Sequence, residues 1–413
     1  MAFADLEFGA KSSTLSAEHI QRAHAWRKAL DRYLEMQAEV ASMLDPRTGA
    51  VADGEQRSER WFKLREARLT ASAFSNALGF WNTGRRDLWE EKLAIKAPFA
   101  GNDATRWGTK LEPVALRDFE IITGNVPSHE MFRVLGTDPI HNWFGGSPDG
   151  LLEGTRAGRG GEDEHEDDED EMDSRGRDED MNMTTTTATT TTTQGNLSTD
   201  LMLGTVSTRQ VGDSRSYVGA EEEAEIDAGD FLSRAGWSES QRATVRDHLT
   251  RMSHLTGDKD GILEIKCPYF GGKGPTASPW TQPPYYYMPQ IQGLLYLYDR
   301  PWAQLYCWTP SQGSVVFHIE RDRAYWAEAW PVISEFWWLH VVPARSHLRQ
   351  VEDGALLDVD LRDYVPAAEH PRTKRLIQWS KSMAGKAEVF AFPPVPATTA
   401  EREEAVREWR VGG

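Results

Sequence analysis

Apolar and polar positions alternate in two periods along the chain, and the period changes from segment to segment. Residues 16–44 carry Ile20, Ala23, Leu30, Leu34 and Val40 at helical spacing, with Ser16 as N-cap and Asp45-Pro46 as the stop. Arg47–Glu55 is a linker bearing Gly and Asp. A helix through Trp61–Arg65 then leads into a short extended piece and a second helix from about Ser72, where Ser72 suits an N-cap. Residues 107–124 form a further helix. Glu112 and Pro113 sit at its start, Leu116, Phe119 and Ile122 form its apolar side, and Gly124 ends it.

Gly261–Pro268 is apolar and β-branched and reads as a strand. Side chains two apart share a face of a strand, so Glu264 and Lys266 project together. Ile265 turns the other way, into a core. A Gly/Pro-rich loop, Gly271–Pro284, precedes a helix over 286–298 with Gln290 and Gln292 on different faces. Ala303–Thr309 and Ser314–Glu320 are two strands joined by a turn. Residues 322–340 form an aromatic-rich helix whose stripe of Tyr325, Trp326, Trp330, Phe336 and Trp337 is core packing. The pattern yields five segments: 1–55, a helical extension and linker; 56–154 and 259–345, two halves of one α/β core; 155–258, an insertion; and 346–413, a Pro- and charge-rich tail with no assigned role.

Composition changes the picture in the insertion. An acidic run spans Glu162–Glu171, broken only by His165, and a threonine tract spans Thr184–Thr193, broken only by Ala188. Such a segment cannot bury a core and reads as mostly disordered, with a short helix near Glu239–Met252. Residues 155–258 hold 24 acids against 10 Lys and Arg. That is a net of −14 out of the chain's −18, so the remainder is close to neutral and nucleic acid is not excluded as a partner. The 16 tryptophans and 39% hydrophobic content support a sizeable core. The two cysteines, Cys267 and Cys307, fit no disulfide framework or zinc spacing and read as free and buried. With no signal peptide and no long apolar span, the chain is expected to be soluble and intracellular; nucleus and cytoplasm are not distinguished.

The chemistry begins with two neighbours in that strand. Taken alone, Glu-Ile-Lys is an ordinary strand with an ion pair. Burying those charges is costly unless they are paired or bind a metal. Upstream, Gly145-Gly146-Ser147-Pro148-Asp149-Gly150 sets a carboxylate on a tight turn. Two carboxylates and a lysine suit a hard divalent cation, Mg²⁺ or Mn²⁺. Pro-Asp followed by Glu-x-Lys is the signature of the PD-(D/E)XK nucleases.

Five motifs in order then carry a more specific likeness. These are Arg65 with Ser72, Trp107-Gly with Glu112, Gly146-Ser-Pro-Asp149-Gly, Leu263-Glu264-Ile-Lys266-Cys-Pro, and Tyr287-Met-Pro-Gln290-Ile-Gln292. Over about residues 56–154 and 259–340 the chain resembles the YqaJ-like viral recombinase family, which is similar to the exonuclease of bacteriophage lambda. The departure is the insertion between Asp149 and Glu264.

The resemblance implies a restriction-endonuclease-like α/β core: a mixed central sheet flanked by helices, interrupted here by the long disordered insertion. It implies a Mg²⁺-dependent exonuclease acting 5′-to-3′ on linear double-stranded DNA in recombination. Asp149, Glu264 and the Ile265 carbonyl match its metal ligands. Glu112 matches the acid near the second metal and the attacking water, Lys266 the lysine acting on that water, and Gln290 the active-site glutamine. Arg65 and Ser72 match its 5′-phosphate pocket. A single-strand annealing protein and a homo-oligomer stand as open partners, with no membrane. Two alternatives stay open: a structure- or site-specific endonuclease on the same core, and a non-catalytic DNA-binding protein derived from a nuclease.

Overall fold

A computed structural model describes residues 45, 50, 58–96, 101–129, 132–136, 141–154, 232–352 and 360–412. The helix expected over 16–44 and the acidic and threonine-rich tracts lie outside the described residues.

Helix α1 (Glu59–Glu66) starts at Ser58, whose hydroxyl accepts the Trp61 N–H at 3.1 Å. Strand β1 (Leu69–Thr70) follows, then a 3₁₀ turn at Ala71–Ala73 and the short helix α2 (Phe74–Ala77). Ser72 therefore lies inside the turn and caps no helix. Its hydroxyl meets Thr70 Oγ1 and accepts from Arg65 instead. Helix α3 (Gly84–Lys92) comes next.

Helix α4 (Asp103–Thr123) corrects a second expectation. It begins four residues before Trp107, because the Asn102 side chain accepts the Thr105 N–H at 2.9 Å and caps it. Glu112 and Pro113 consequently fall in the middle of the helix. Pro113 has no N–H for the Thr109 carbonyl, a defect that costs about 3 kcal/mol in an unsupported helix. Packing offsets it: Trp107, Leu111, Ala115, Phe119 and Ile122 are all buried on one side. Gly124 ends α4 in the left-handed region at φ 68°, which glycine enters without penalty.

Strands β2 (Arg133–Val134) and β3 (Phe144–Gly146) complete a small sheet of order β1-β3-β2, with β1 parallel and β2 antiparallel to β3. A side chain at Gly145 is excluded there, since a Cβ would lie 2.6 Å from the Phe132 ring. The chain then turns through Ser147-Pro148-Asp149 into β4 (Gly150–Leu152), the first strand of a larger sheet. The connection between the two sheets is thus the segment that carries Asp149.

Helix α5 (Glu239–Thr256) has a full capping box at Ser238 and Gln241 and buries Val245 and Met252. The segment expected to be low in complexity ends in this packed helix. Strand β5 (Gly261–Lys266) leads through α6 (Met288–Leu297) to β6 (Trp302–Thr309), which runs parallel to β5 with a helical crossover. Antiparallel β7 (Gly313–Glu320) follows. Helix α7 (Arg323–Glu335) continues through a π-helical stretch, Phe336–Val341, into α8 (Val342–Glu352). Its aromatic stripe is core: Tyr325, Trp326, Phe336 and Trp337 are buried.

The C-terminal segment, which the sequence leaves without a role, is built into the fold. Helix α9 (Thr373–Lys386) is followed by β8 (Glu388–Phe392), which pairs antiparallel with β7. The main sheet therefore has the order β4-β5-β6-β7-β8. Helix α10 (Thr399–Gly412) packs along α4.

Both faces of this mixed sheet are covered. Ile262, Leu305 and Phe317 pack with residues of α6, α7 and α9. Leu263, Ile265, Tyr306, Val316, Phe390 and Phe392 pack with α4, α5 and α10. Among the described residues, no helix is long and apolar enough to cross a membrane.

Candidate active site

Period-2 geometry on β5 sends Glu264 and Lys266 to the α6 face and Ile265 to the opposite core. Glu264 is 3% exposed, an expensive place for a carboxylate. Two donors converge on its Oε1: the Lys266 ammonium, and the Gln290 amide at 2.5 Å. Pro289 in the first turn of α6 suits the start of the helix that aims Gln290 at the strand. Glu264 Oε2 is buried and has no hydrogen-bond partner.

Asp149 joins from the turn before β4. Its N–H donates to the Leu263 carbonyl at 3.1 Å, and its Oδ2 accepts the Ile265 N–H at 2.7 Å. The side chain thus supplies the next rung of the β4–β5 ladder. In an antiparallel pair a residue's N–H and C=O face the same neighbour, so the Ile265 carbonyl leaves β5 on the Asp149 edge.

Burial, and then the charge of Asp149, push the Glu264 carboxyl up to about 7, while Lys266 and Gln290 pull it back. Burial works against the Lys266 ammonium, but the Glu264 and Asp149 carboxylates outweigh it and hold Lys266 above the ordinary lysine range. The two shifts pull in opposite directions, because a lysine held protonated by Glu264 needs that carboxylate ionised. Two donors on one oxygen favour the ion pair.

A second group forms one wall of the same space. Arg65 Nη2 donates to Ser72 Oγ at 2.9 Å. The guanidinium lies 4.3 Å from the Trp61 ring centroid, and the Trp61 indole N–H donates to Ser147 Oγ at 3.2 Å. Arg65 is held from behind as well: Lys92 Nζ donates to its carbonyl at 2.7 Å. Tyr287 lines the same space, with its ring 5.3 Å from Lys266 Nζ.

One cavity of about 400 Å³ is lined by Arg65, Ser72, Glu112, Asp149, Glu264, Lys266 and Gln290, together with Trp61, Thr109, Ser147 and Tyr287. The fold brings together all seven side chains singled out from the sequence; Ile265 contributes backbone only. Trp61, Thr109 and Ser147 went unmarked. Thr109 had a weak signal, since it lies three residues before Glu112 and shares its helical face. Trp61 and Ser147 had none, because their contact joins residues 86 apart. Cys267 and Cys307 are both free.

The donor set leaves one oxygen over for a cation. Glu264 Oε2 is buried without a partner, and two mutually repelling carboxylates and a strand carbonyl offer hard oxygens to a divalent ion. Asp149, Glu264 and Ile265 fit such an ion. Glu112 lines the cavity without joining a tight cluster: among the described residues, no three His, Cys, Asp or Glu side chains are grouped closely enough to hold a metal.

A mixed α/β sheet with a carboxylate–lysine cavity at its β4–β5 edge defines the class of fold. The YqaJ-like viral recombinase domain matches residues 60–299, more than half of the chain, and the chain belongs to that family. Among solved structures it is similar to an alkaline exonuclease, LHK-Exo, from Laribacter hongkongensis, and to LHK-Exo in complex with dAMP. In each case identity is 17%, 72% of this chain and 98% of the other are covered, and the TM-score is 0.36. No curated protein matches the chain.

Proposed function

We propose that the protein is a DNA exonuclease of recombination that hydrolyses linear duplex DNA from 5′ ends with the help of a divalent metal ion. The observation that carries this reading is the sharing of one cavity by the Arg65–Ser72 pair and the Glu264–Lys266 pair. A terminal phosphate has one more ionisable oxygen than an internal diester. A guanidinium beside a hydroxyl favours that extra charge, so Arg65 and Ser72 hold the end of a strand. Trp61, stacked under Arg65 and tied to Ser147, keeps the guanidinium pointing inward.

Asp149, Glu264 and the Ile265 carbonyl would hold a divalent ion, which supplies positive charge to the phosphoryl oxygens and acidifies water. Lys266 sets a further cation beside the reacting phosphoryl group. Gln290 fixes the Glu264 carboxylate by its 2.5 Å hydrogen bond. Glu112 adds a carboxylate from the α4 side of the cavity, placed to orient water.

The test is digestion of end-labelled linear duplex against closed circles, with Mg²⁺ and with chelator. Loss of linear DNA from its 5′ ends, intact circles and silence in chelator are expected. Efficient cutting of circles replaces this reading with an endonuclease. Full activity in confirmed metal-free buffer removes the metal.

A further inference from the structure

The rings that run on from Tyr287 are unlike the buried aromatic stripe of α7. Tyr287 lines the cavity and stands 4.8 Å from Tyr286, centroid to centroid. Tyr286 in turn stands 5.3 Å from Trp81, which is 42% exposed. Tyr285 branches from Tyr286 at 5.7 Å, and exposed Lys381 of α9 lies over it, 5.1 Å from its centroid. Lys381 and Tyr285 border a second hollow of about 410 Å³ with Gln282 and Pro284. The tyrosines keep part of their surface in solvent, although their neighbours Met288 and Pro289 are buried.

We propose that Trp81, Tyr286 and Tyr287 form a stacking track for the unpaired bases of single-stranded DNA adjoining the cavity, with Lys381 meeting the backbone beyond Tyr285. The inference rests on the cavity being a nuclease site. Every base offers a π-face, so a run of half-exposed rings holds a strand without regard to sequence, and a nearby cation meets its phosphates. A duplex hides those faces inside its stack. The track begins on a ring of the cavity itself, so a strand held at the site reaches it directly. The Tyr286 carbonyl accepts from the Ser75 hydroxyl of α2, which keeps the track against the segment bearing Ser72.

The test uses the full chain with Glu264→Gln throughout, in chelator, so that the probe survives. Binding of a fluorescein-labelled oligothymidylate is measured, with a blunt duplex as control. Trp81→Ala and Tyr286→Ala should each weaken the oligothymidylate roughly 5- to 100-fold, while Trp81→Phe and Tyr286→Phe retain most of the affinity and duplex binding moves little. Unchanged oligothymidylate binding in the alanine variants overturns the track, and so does an equal loss for duplex. Photo-crosslinking of an iodouracil oligonucleotide needs no change in the track: adducts should map to Trp81, Tyr286 or Tyr287, and adducts elsewhere refute it. If the unaltered protein cuts no DNA but Trp81 still governs strand binding, the nuclease reading fails and the track stands.

Discussion

The Asp149 carboxylate accepts the Ile265 N–H at 2.7 Å, so one side chain both extends a ladder and faces the cavity. The two roles separate by substitution. Asp149→Asn keeps an acceptor oxygen and removes the charge; it should leave the urea midpoint nearly unchanged and abolish cleavage. Asp149→Ala leaves the Ile265 N–H unpaired as well and should cost about 1–3 kcal/mol of stability. Cleavage surviving in Asp149→Asn would show that the charge is not used.

Arg65→Ala should erase a preference for 5′-phosphate over 5′-hydroxyl ends and leave the slower substrate untouched. One charge-assisted contact is worth about 1.5–3 kcal/mol, or roughly ten- to hundredfold in rate. Initial rates on the two linear duplexes measure it. An equal fall on both would mean that Arg65 only packs on Trp61.

Lys92 makes stability depend on pH. Burial, with help from the Arg345 charge, lowers its ammonium from the ordinary lysine value of 10.5 to about 7. Between those values the unfolded chain binds more protons than the folded one. Folding stability therefore rises with pH from about 7 towards 10, and the full penalty applies below 7. The span is worth on the order of 5 kcal/mol at most. Lys92→Met should flatten that slope in denaturant titrations run across the window. A slope unchanged from the parent assigns the proton uptake elsewhere.

Deleting residues 160–225 with a short linker should leave a folded protein with full cleavage. Extending the deletion to 250 removes the part of α5 that contains Val245 and should lower the melting temperature sharply. Equal melting of the two would make α5 a passenger.

The strand, the turn and their order were legible because they obey local rules. Glu264 and Lys266 share a face through a period of two, and Asp149 follows glycines at a turn. Locally legible patterns misplaced the start of α4, because Pro113 suits a first turn and the competing local signal, Asn102 as N-cap before Asp103, was passed over. Packing supports the earlier start: Trp107 is fully buried and meets Trp409 edge-on at 5.0 Å, across about three hundred residues. Strand β8 carried a signal that went unread, since Phe390 and Phe392 alternate with outward residues as a half-covered strand should. Its partner edge on β7 was not visible in the sequence. The pairing of Trp61 with Ser147 is likewise set only by the fold.

Buried Asp118 of α4 receives the Trp308 indole N–H at 2.7 Å, the Thr398 hydroxyl and, at 3.5 Å, Arg402 of α10. Beside it, β8 closes the β7 edge. A ribosome delivers Thr398 and Arg402 only after every residue of the cavity. While residues 388–402 are still in the exit tunnel, β7 ends in open peptide groups and the helix bearing Glu112 holds a carboxylate short of two of its donors. The cavity's earlier residues have then all been synthesised, yet the frame behind them is incomplete. A chain cut short before residue 388 should therefore carry every side chain of the cavity without the frame that holds α4 and β7 in place.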